Sequence, residues 1–193
     1  IMISKKRNRL SKITNKLAKP FLFLKPNHIT GLSIILAVLG FLTFVSQHFI
    51  PAFLFYSFSV LLDAIDGEVA RIKGKASPKG AYLDTIADRY VEFVILLGFL
   101  FVEMPPFILN FDVWLFLVLF GSLLTTYAKA AAKEKLNKEI VSCLLERGER
   151  GIILLFSVLI LNFDKNMVTY IFVLLAFLTN FSAIQRILKA LTS

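Results

Sequence analysis

The sequence predicts an all-α integral membrane protein, and three observations support this class. Hydrophobic residues make up 57% of the 193 residues, whereas soluble domains contain about 45–50% apolar residues. The excess lies in long uninterrupted apolar runs, which rarely serve as core helices of a soluble protein. Charged residues fall in the gaps between those runs. A large soluble core is the less favoured alternative.

Six apolar segments predict six transmembrane helices, because about 20 residues cross a bilayer and the segments are near that length. The fifth segment is short unless it starts near Leu145. Backbone groups that face lipid must bond within their own segment, so these spans are expected to be helices. We expect one membrane-embedded domain over residues 1–193, with a six-helix bundle over 26–193. The six segments cover residues 28–47, 51–72, 80–102, 113–136, 150–162 and 167–188.

A basic segment precedes the first apolar run. Leu10, Ile13 and Leu17 recur at helical spacing among the Lys and Arg residues of 5–19. This pattern predicts a juxtamembrane amphipathic helix within residues 1–25 that lies on the membrane surface. A disordered basic arm is the alternative. The first residue is not Met, which leaves open a longer protein with an upstream soluble domain.

The distribution of positive charge predicts the orientation in the membrane. The loops near 48–50, 103–112 and 162–166 contain one basic residue, Lys165, and the other 21 of the 22 Lys and Arg lie on the opposite side. The positive-inside rule then places both termini and the active site on the cytoplasmic side of the cell membrane. The net charge of +9 suits anionic headgroups and phosphate substrates, and we expect no nucleic-acid partner.

Four aspartates lie at the predicted cytoplasmic ends of two neighbouring helices. Asp63 and Asp66 are three residues apart near the end of the second segment, and Asp84 and Asp88 are four residues apart near the start of the third. At these spacings, each pair shares one helix face. We therefore expect the four carboxylates to lie close together.

Positive charge must compensate this many carboxylates. A carboxylate at the centre of a membrane helix costs about 2.5–3.5 kcal/mol, and less near the interface. Hard oxygen ligands at this density suit Mg²⁺ or Mn²⁺, and four negative charges balance two divalent cations. Two such ions form a clamp for displacement at phosphorus. A structural Asp–Arg network and an ion-carrying transporter remain as alternatives.

The aspartates belong to a longer motif that resembles a known signature. The chain reads Asp63-x2-Asp66-Gly67-x2-Ala70-Arg71-x8-Gly80-x3-Asp84-x3-Asp88. This motif resembles the signature of the CDP-alcohol phosphotransferase (CDP-alcohol phosphatidyltransferase) family and agrees with it at every fixed position. The predicted six-helix layout with a basic N-terminal helix also resembles that family.

The resemblance implies a reaction and a set of roles. A phosphoalcohol group would move from a CDP-alcohol to an acceptor alcohol, with release of CMP. Asp63, Asp66 and Asp84 would hold two divalent cations, and Asp88 would be a fourth, weaker ligand and the general base. The resemblance also assigns the CDP site to Asn27, Thr30, Asp66, Gly67, Ala70, Arg71 and Gly80.

Cations further along the chain suggest an acceptor that carries a phosphate. Arg matches phosphate with paired hydrogen bonds, and Lys adds a point charge. The chain here resembles phosphatidylinositol-phosphate, archaetidylinositol-phosphate and di-myo-inositol-phosphate-phosphate synthases, and this resemblance implies that the acceptor would be inositol 1-phosphate. Ala131 departs from that pattern, because these enzymes often have Arg there. The residues implied for the acceptor phosphate are Thr126, Lys129, Arg150 and Arg186.

Several substrates and partners stay open at this point. Glycerol 3-phosphate or serine is the alternative acceptor, and the basic side chains could merely anchor helix ends at the headgroups. The donor is either a CDP-lipid or CDP-inositol. The resemblance further implies a homodimer and, in the di-inositol enzymes, a cytidylyltransferase domain fused upstream.

Overall fold

The computed structural model describes residues 18–23, 26–74, 77–138, 140 and 144–192, apart from the side chains of residues 26 and 27. These residues form six α-helices and, in this part of the chain, no β-strand, so the all-α class is confirmed. The N-terminal amphipathic helix was predicted over residues that lie almost entirely outside the described ones. A 3₁₀ turn at Lys19–Phe21 is described there. The helices are α1 Pro26–Val45, α2 Phe49–Ile72, α3 Pro78–Phe99, α4 Phe111–Leu136, α5 Arg147–Ile160 and α6 Lys165–Thr192.

The prediction of six transmembrane helices is wrong. Among the described residues, four helices are long and apolar enough to cross a membrane, namely α1, α2, α4 and α6. The helix α5 has 14 residues and is about 21 Å long, short of the hydrocarbon thickness of about 30 Å. The helix α3 is long enough but too polar, because it carries Lys79, Asp84, Asp88, Arg89 and Glu92. The protein is nevertheless a multi-pass membrane protein.

The chain divides into two compact units, residues 1–95 and 96–193. In the first unit α1 packs along α2. Gly40 on α1 faces the fully buried ring of Tyr56, and a Cβ at Gly40 would lie 2.8 Å from the ring. Buried Ser59 on α2 donates a hydrogen bond of 2.7 Å to the carbonyl of Ser33 on α1. Close backbone approach and one buried hydrogen bond therefore fix the two helices together.

A small apolar cluster joins the start of α1 to the end of α2. It consists of Ala18, Ile29, Leu62, Ile65 and Val69, all buried. Ile65 and Val69 are four residues apart, so they lie on the same face of α2. This contact brings the first turn of α1 beside the turn of α2 that carries Asp66.

In the second unit α4 packs closely against α6. Gly121 lies where a Cβ would be 2.8 Å from the Cβ of Thr179 and 2.9 Å from the backbone nitrogen of Asn180. The Asn180 side chain donates to the carbonyl of Leu117 at 3.0 Å. The Thr125 hydroxyl is 3.3 Å from the carbonyl of Thr179. Small and polar residues thus let the two backbones approach, as is common between membrane helices.

Candidate active site

Three carboxylates meet where α2 ends and α3 begins, within the first unit. Asp63 and Asp66 come from α2 and Asp84 comes from α3, and one oxygen of each lies within 4.8 Å of the others. We call these three residues the carboxylate cluster. Asp66 is only 6% exposed, and the other two are half-buried. The structure therefore brings together three of the four aspartates predicted from the motif.

The composition of the carboxylate cluster fits a divalent cation. Its ligands are all oxygens, which Mg²⁺ and Mn²⁺ prefer. Three carboxylates at this separation repel one another, and a partly buried site weakens screening by water. A bound cation would reverse that repulsion. The residues present thus suit a metal ion better than they suit a purely structural contact.

The hydroxyl of Thr30 donates a hydrogen bond to Oδ2 of Asp66. Thr30 lies in the second turn of α1, and its own carbonyl accepts a hydrogen bond of 2.8 Å from Ser33. A carboxylate has two oxygens, so Asp66 can accept this bond and still offer an oxygen to a cation. The family resemblance implied a place for Thr30 at the nucleotide, and in the structure its hydroxyl bonds to a member of the carboxylate cluster.

Asp88 lies one turn after Asp84 on α3 and is buried, at 6% exposure. Among the described residues, the carboxylates within 4.8 Å of one another do not include Asp88. Four residues after Asp84, it lies on the same face of α3. Its predicted roles as fourth ligand and general base stay predictions.

Two glycines of the motif have different surroundings. No described atom lies within 4 Å of the place that a Cβ would take at Gly67, apart from its own helical neighbourhood. At Gly80, a Cβ would lie 3.2 Å from the hydroxyl of Ser77. Ser77 accepts a hydrogen bond of 3.1 Å from the Gly80 nitrogen and thereby caps the start of α3. Packing within the protein therefore partly explains why residue 80 is glycine, but it does not explain why residue 67 is glycine.

Arg71 ends the motif on α2 and has an exposed side chain. Its Nε and Nη2 donate to Oε2 of Glu68, at 3.1 Å and 2.5 Å. Glu68 is buried, and the sequence reasoning missed it because its position in the motif is variable. Opposite charges three residues apart on one helix were the available signal. Asn27, also predicted for the CDP site, lies in the first turn of α1, and its side chain is outside the described part of the structure.

The residues predicted for the acceptor phosphate lie in the second unit. Nη1 of Arg186 on α6 donates to the carbonyl of Thr125 at 2.8 Å, which holds the guanidinium against the turn of α4 that carries Thr126. The Thr126 hydroxyl donates to its own helix, at 3.2 Å from the Ser122 carbonyl. Lys129 is exposed one turn further along α4.

Arg150 on α5 is the largest fully buried side chain described, at 1% exposure. The start of α5 is fixed from both sides. Glu146 and Glu149 form a capping box, and the Leu145 nitrogen donates to the Ser182 hydroxyl of α6 at 3.1 Å. These contacts position Arg150 in the second unit.

Fold and site together define a class of protein: a multi-pass helical membrane protein with a set of carboxylates at helix ends whose chemistry suits a divalent cation. The sequence matches the CDP-alcohol phosphatidyltransferase family over residues 23–183, and the chain belongs to that family. The resemblance predicted from the motif is confirmed, and so is the enzyme class, a CDP-alcohol phosphotransferase. The family depends on divalent metal, which agrees with the carboxylate cluster.

Two curated relatives show where the chain falls within the family. It is 32% identical to a "Bifunctional IPC transferase and DIPP synthase" of Aquifex aeolicus, over 94% of this chain and 42% of the relative. It is 31% identical to an "Archaetidylinositol phosphate synthase" of Pyrococcus horikoshii, over 98% of this chain and 96% of the relative. The chain thus spans less than half of the first relative and nearly all of the second.

Solved structures agree with this placement. The fold is similar to phosphatidylinositol phosphate synthase of Mycobacterium tuberculosis with CDP-DAG bound, with a TM-score of 0.81 and 26% identity over 94% of this chain and 95% of that chain. A second crystal structure of that enzyme, in complex with manganese and citrate, gives a TM-score of 0.81 and 27% identity over 93% of this chain and 90% of that chain.

Proposed function

We propose that this chain transfers a phosphoalcohol group from a CDP-alcohol to inositol 1-phosphate and releases CMP. The carboxylate cluster carries the proposal, because it supplies a cation site beside the motif residues assigned to CDP. The named activities of the relatives support an inositol phosphate as acceptor. The CDP-DAG bound to one of the solved structures supports a CDP-lipid as donor, and CDP-inositol is the alternative.

The donor side of the reaction belongs to α2 and α3. Asp63, Asp66 and Asp84 would hold two divalent cations, Mg²⁺ or Mn²⁺, with Asp88 as a weaker ligand. When bound, the cations neutralise the diphosphate and make CMP a better leaving group. The open space at Gly67 supports close approach of the donor to the α2 backbone.

Asp88 is the proposed general base. Its carboxylate takes the proton of the acceptor hydroxyl as that oxygen attacks the β-phosphorus of the donor. The bond between the β-phosphorus and the bridging oxygen breaks, and the electron pair leaves with CMP. The burial of Asp88 and its place one turn after Asp84 on the same face of α3 support this assignment.

The remaining assignments concern the donor contacts and the acceptor. The proposed CDP site consists of Asn27, Thr30, Asp66, Gly67, Ala70, Arg71 and Gly80. Charge supports the acceptor assignment, because Lys and Arg are the side chains that bind phosphate. The residues proposed for the acceptor phosphate are Thr126, Lys129, Arg150 and Arg186.

Residues 1–193 are proposed to act as one catalytic domain within a homodimer, with the active site facing the cytoplasm. The basic residues within 5–19, just before α1, support a cytoplasmic N-terminus. Because α1 and α2 are two consecutive candidate spans, the end of α2 that carries the aspartates then lies on the same side. The family resemblance supports the dimer.

A CMP-release screen tests the proposed function. The purified protein is mixed with Mg²⁺, one of three donors (CDP-diacylglycerol, CDP-archaeol or CDP-inositol) and one of four acceptors (inositol 1-phosphate, glycerol 3-phosphate, serine or inositol). We expect CMP release with inositol 1-phosphate, and none in excess chelator. Release only with glycerol 3-phosphate or serine would replace the proposed acceptor. No release with any pair would overturn the proposed activity.

A further inference from the structure

Glu68, which pairs with Arg71, has no part in the mechanism described so far. Glu68 occupies a position of the motif that the family signature leaves variable. Its side chain is 9% exposed, whereas the side chain of Arg71 is 66% exposed. The buried carboxylate of Glu68 therefore forms an ion pair with the largely exposed guanidinium of Arg71, the last motif residue on α2.

The two partners differ in how firmly the fold holds them. Glu68 immediately precedes Val69 and follows Ile65 by three residues, and both neighbours belong to the buried cluster that joins α1 to α2. Arg71 has a long side chain with many rotamers and lies one residue before the helix ends at Ile72. The carboxylate is the fixed partner, and the guanidinium is the one that needs an orienting contact.

The contact occupies one edge of the guanidinium. Nε and Nη2 of Arg71 both donate to the same oxygen of Glu68. Arginine has five N–H donors, so the donors on Nη1 remain for a second anion. Gly67 lies four residues before Arg71 on the same face of α2, next to open space. An anion in that space would be within reach of the oriented Arg71.

We infer that Glu68 is a positioning residue, which holds Arg71 so that its remaining donors face the diphosphate of the CDP-alcohol. This inference rests on the proposed function, because it assumes that Arg71 binds the donor. Glu68 acts through Arg71 and does not touch the substrate. A negative charge near a diphosphate opposes its binding unless a cation lies between the two and pairs with that charge. Glu68 should therefore increase affinity for the donor only while Arg71 is present.

That dependence allows a double-mutant cycle. Equilibrium binding of CDP in the presence of Mg²⁺ is measured for the wild type, Glu68→Gln, Arg71→Ala and the double variant. We expect Glu68→Gln to weaken CDP binding about tenfold, a size typical of coupled neighbours, and to have no further effect in the Arg71→Ala background. Glu68→Asp should recover part of the affinity, because it restores the charge on a shorter side chain.

A matched control separates positioning from helix stabilisation. Arg89 and Glu92 form another Arg–Glu pair three residues apart, at 2.6 Å on α3. Glu92→Gln should leave CDP affinity within about twofold, whereas a general effect of breaking such pairs would lower it as much as Glu68→Gln does. Thermal unfolding of each variant in detergent checks that it is folded.

The outcomes separate the inference from the proposed function. If the wild type binds CDP and Glu68→Gln binds it equally well, or if its effect persists in full without Arg71, the inference is overturned alone. If the wild type does not bind CDP at all, the proposed donor site is wrong and the inference falls with it.

Discussion

The two units of the chain hold their candidate functional residues in different ways. In the first unit, the aspartates of the motif lie within 26 positions on two consecutive helices, from Asp63 to Asp88. In the second unit, the candidate acceptor residues are spread from Thr126 to Arg186 over three helices. The positions of the carboxylates thus follow from helix periodicity and from the short connection between α2 and α3. The positions of the acceptor residues depend instead on packing between segments that are distant in the sequence. Substitutions in the first unit should therefore change turnover, metal binding or CDP binding, whereas substitutions in the second unit should change the KM for the acceptor.

The largest effect is expected in the first unit, at Asp88. Asp88→Asn keeps the shape of the side chain but removes the proposed base, so CMP release should fall about 10²–10⁴-fold. Binding of CDP should change by less than about twofold, because the substitution leaves the main metal ligands in place. Both quantities are measured on the same preparation. The control is Asp112→Asn, at an exposed aspartate in the first turn of α4. Turnover near the wild-type rate would reject Asp88 as the base.

In the second unit the corresponding change is Arg186→Ala. Hydrogen bonds to charged groups are worth about 1.5–3 kcal/mol, so the KM for inositol 1-phosphate should rise about 10–150-fold. The KM for the donor should stay the same. Initial rates at varied concentrations of each substrate separate the two constants. Lys135→Ala, which removes an exposed cation from the end of α4, serves as control. An equal rise in both KM values would show that Arg186 does not discriminate the acceptor.

Thr30→Val sharpens the account of the first unit. The substitution keeps a β-branched side chain but removes the hydroxyl that donates to Asp66. Losing a hydrogen bond to a metal ligand typically weakens metal binding about 10–100-fold, and we expect Mn²⁺ affinity to fall within that range. Thr43→Val is the control, because the Thr43 hydroxyl bonds only to carbonyls of its own helix in the contacts described. Equal Mn²⁺ affinity in the two variants would exclude an orienting role for Thr30.

Two glycines of the first unit should respond in opposite ways. Gly67→Ala should raise thermal stability slightly, by up to about 1 kcal/mol, because alanine favours helix. It should nevertheless weaken CDP binding about tenfold, because a methyl group enters the space kept for the donor. Gly40→Ala should instead destabilise the protein by about 1–3 kcal/mol through its contact with Tyr56. Unchanged CDP affinity in Gly67→Ala would mean that the open space is not the donor site.

The sequence predicted those features that follow from local spacing. The helical class follows from long apolar runs, and the meeting of Asp63 and Asp66 follows from their separation of three residues. Asp84 could be placed with them because α3 follows α2 after a short connection. The family motif then supplied the reaction class.

Other features depend on tertiary packing and could not be predicted. The bond from Thr30 to Asp66 joins residues 36 positions apart and exists because α1 packs along the end of α2. The contact of Arg186 with Thr125 spans 61 positions. The prediction of six membrane spans failed for another reason. It did not weigh the charges of α3, and it counted the short fifth segment as a span although α5 has only 14 residues.

The central claim is that Asp63, Asp66 and Asp84 together hold a divalent cation for the donor. Titration with Mn²⁺, followed by the electron paramagnetic resonance signal of the free ion, tests it directly. The wild type should bind Mn²⁺ and release it to excess Mg²⁺, and Asp84→Ala should bind at least about tenfold more weakly because one charged ligand is lost. Identical titration curves for the two proteins would contradict the claim.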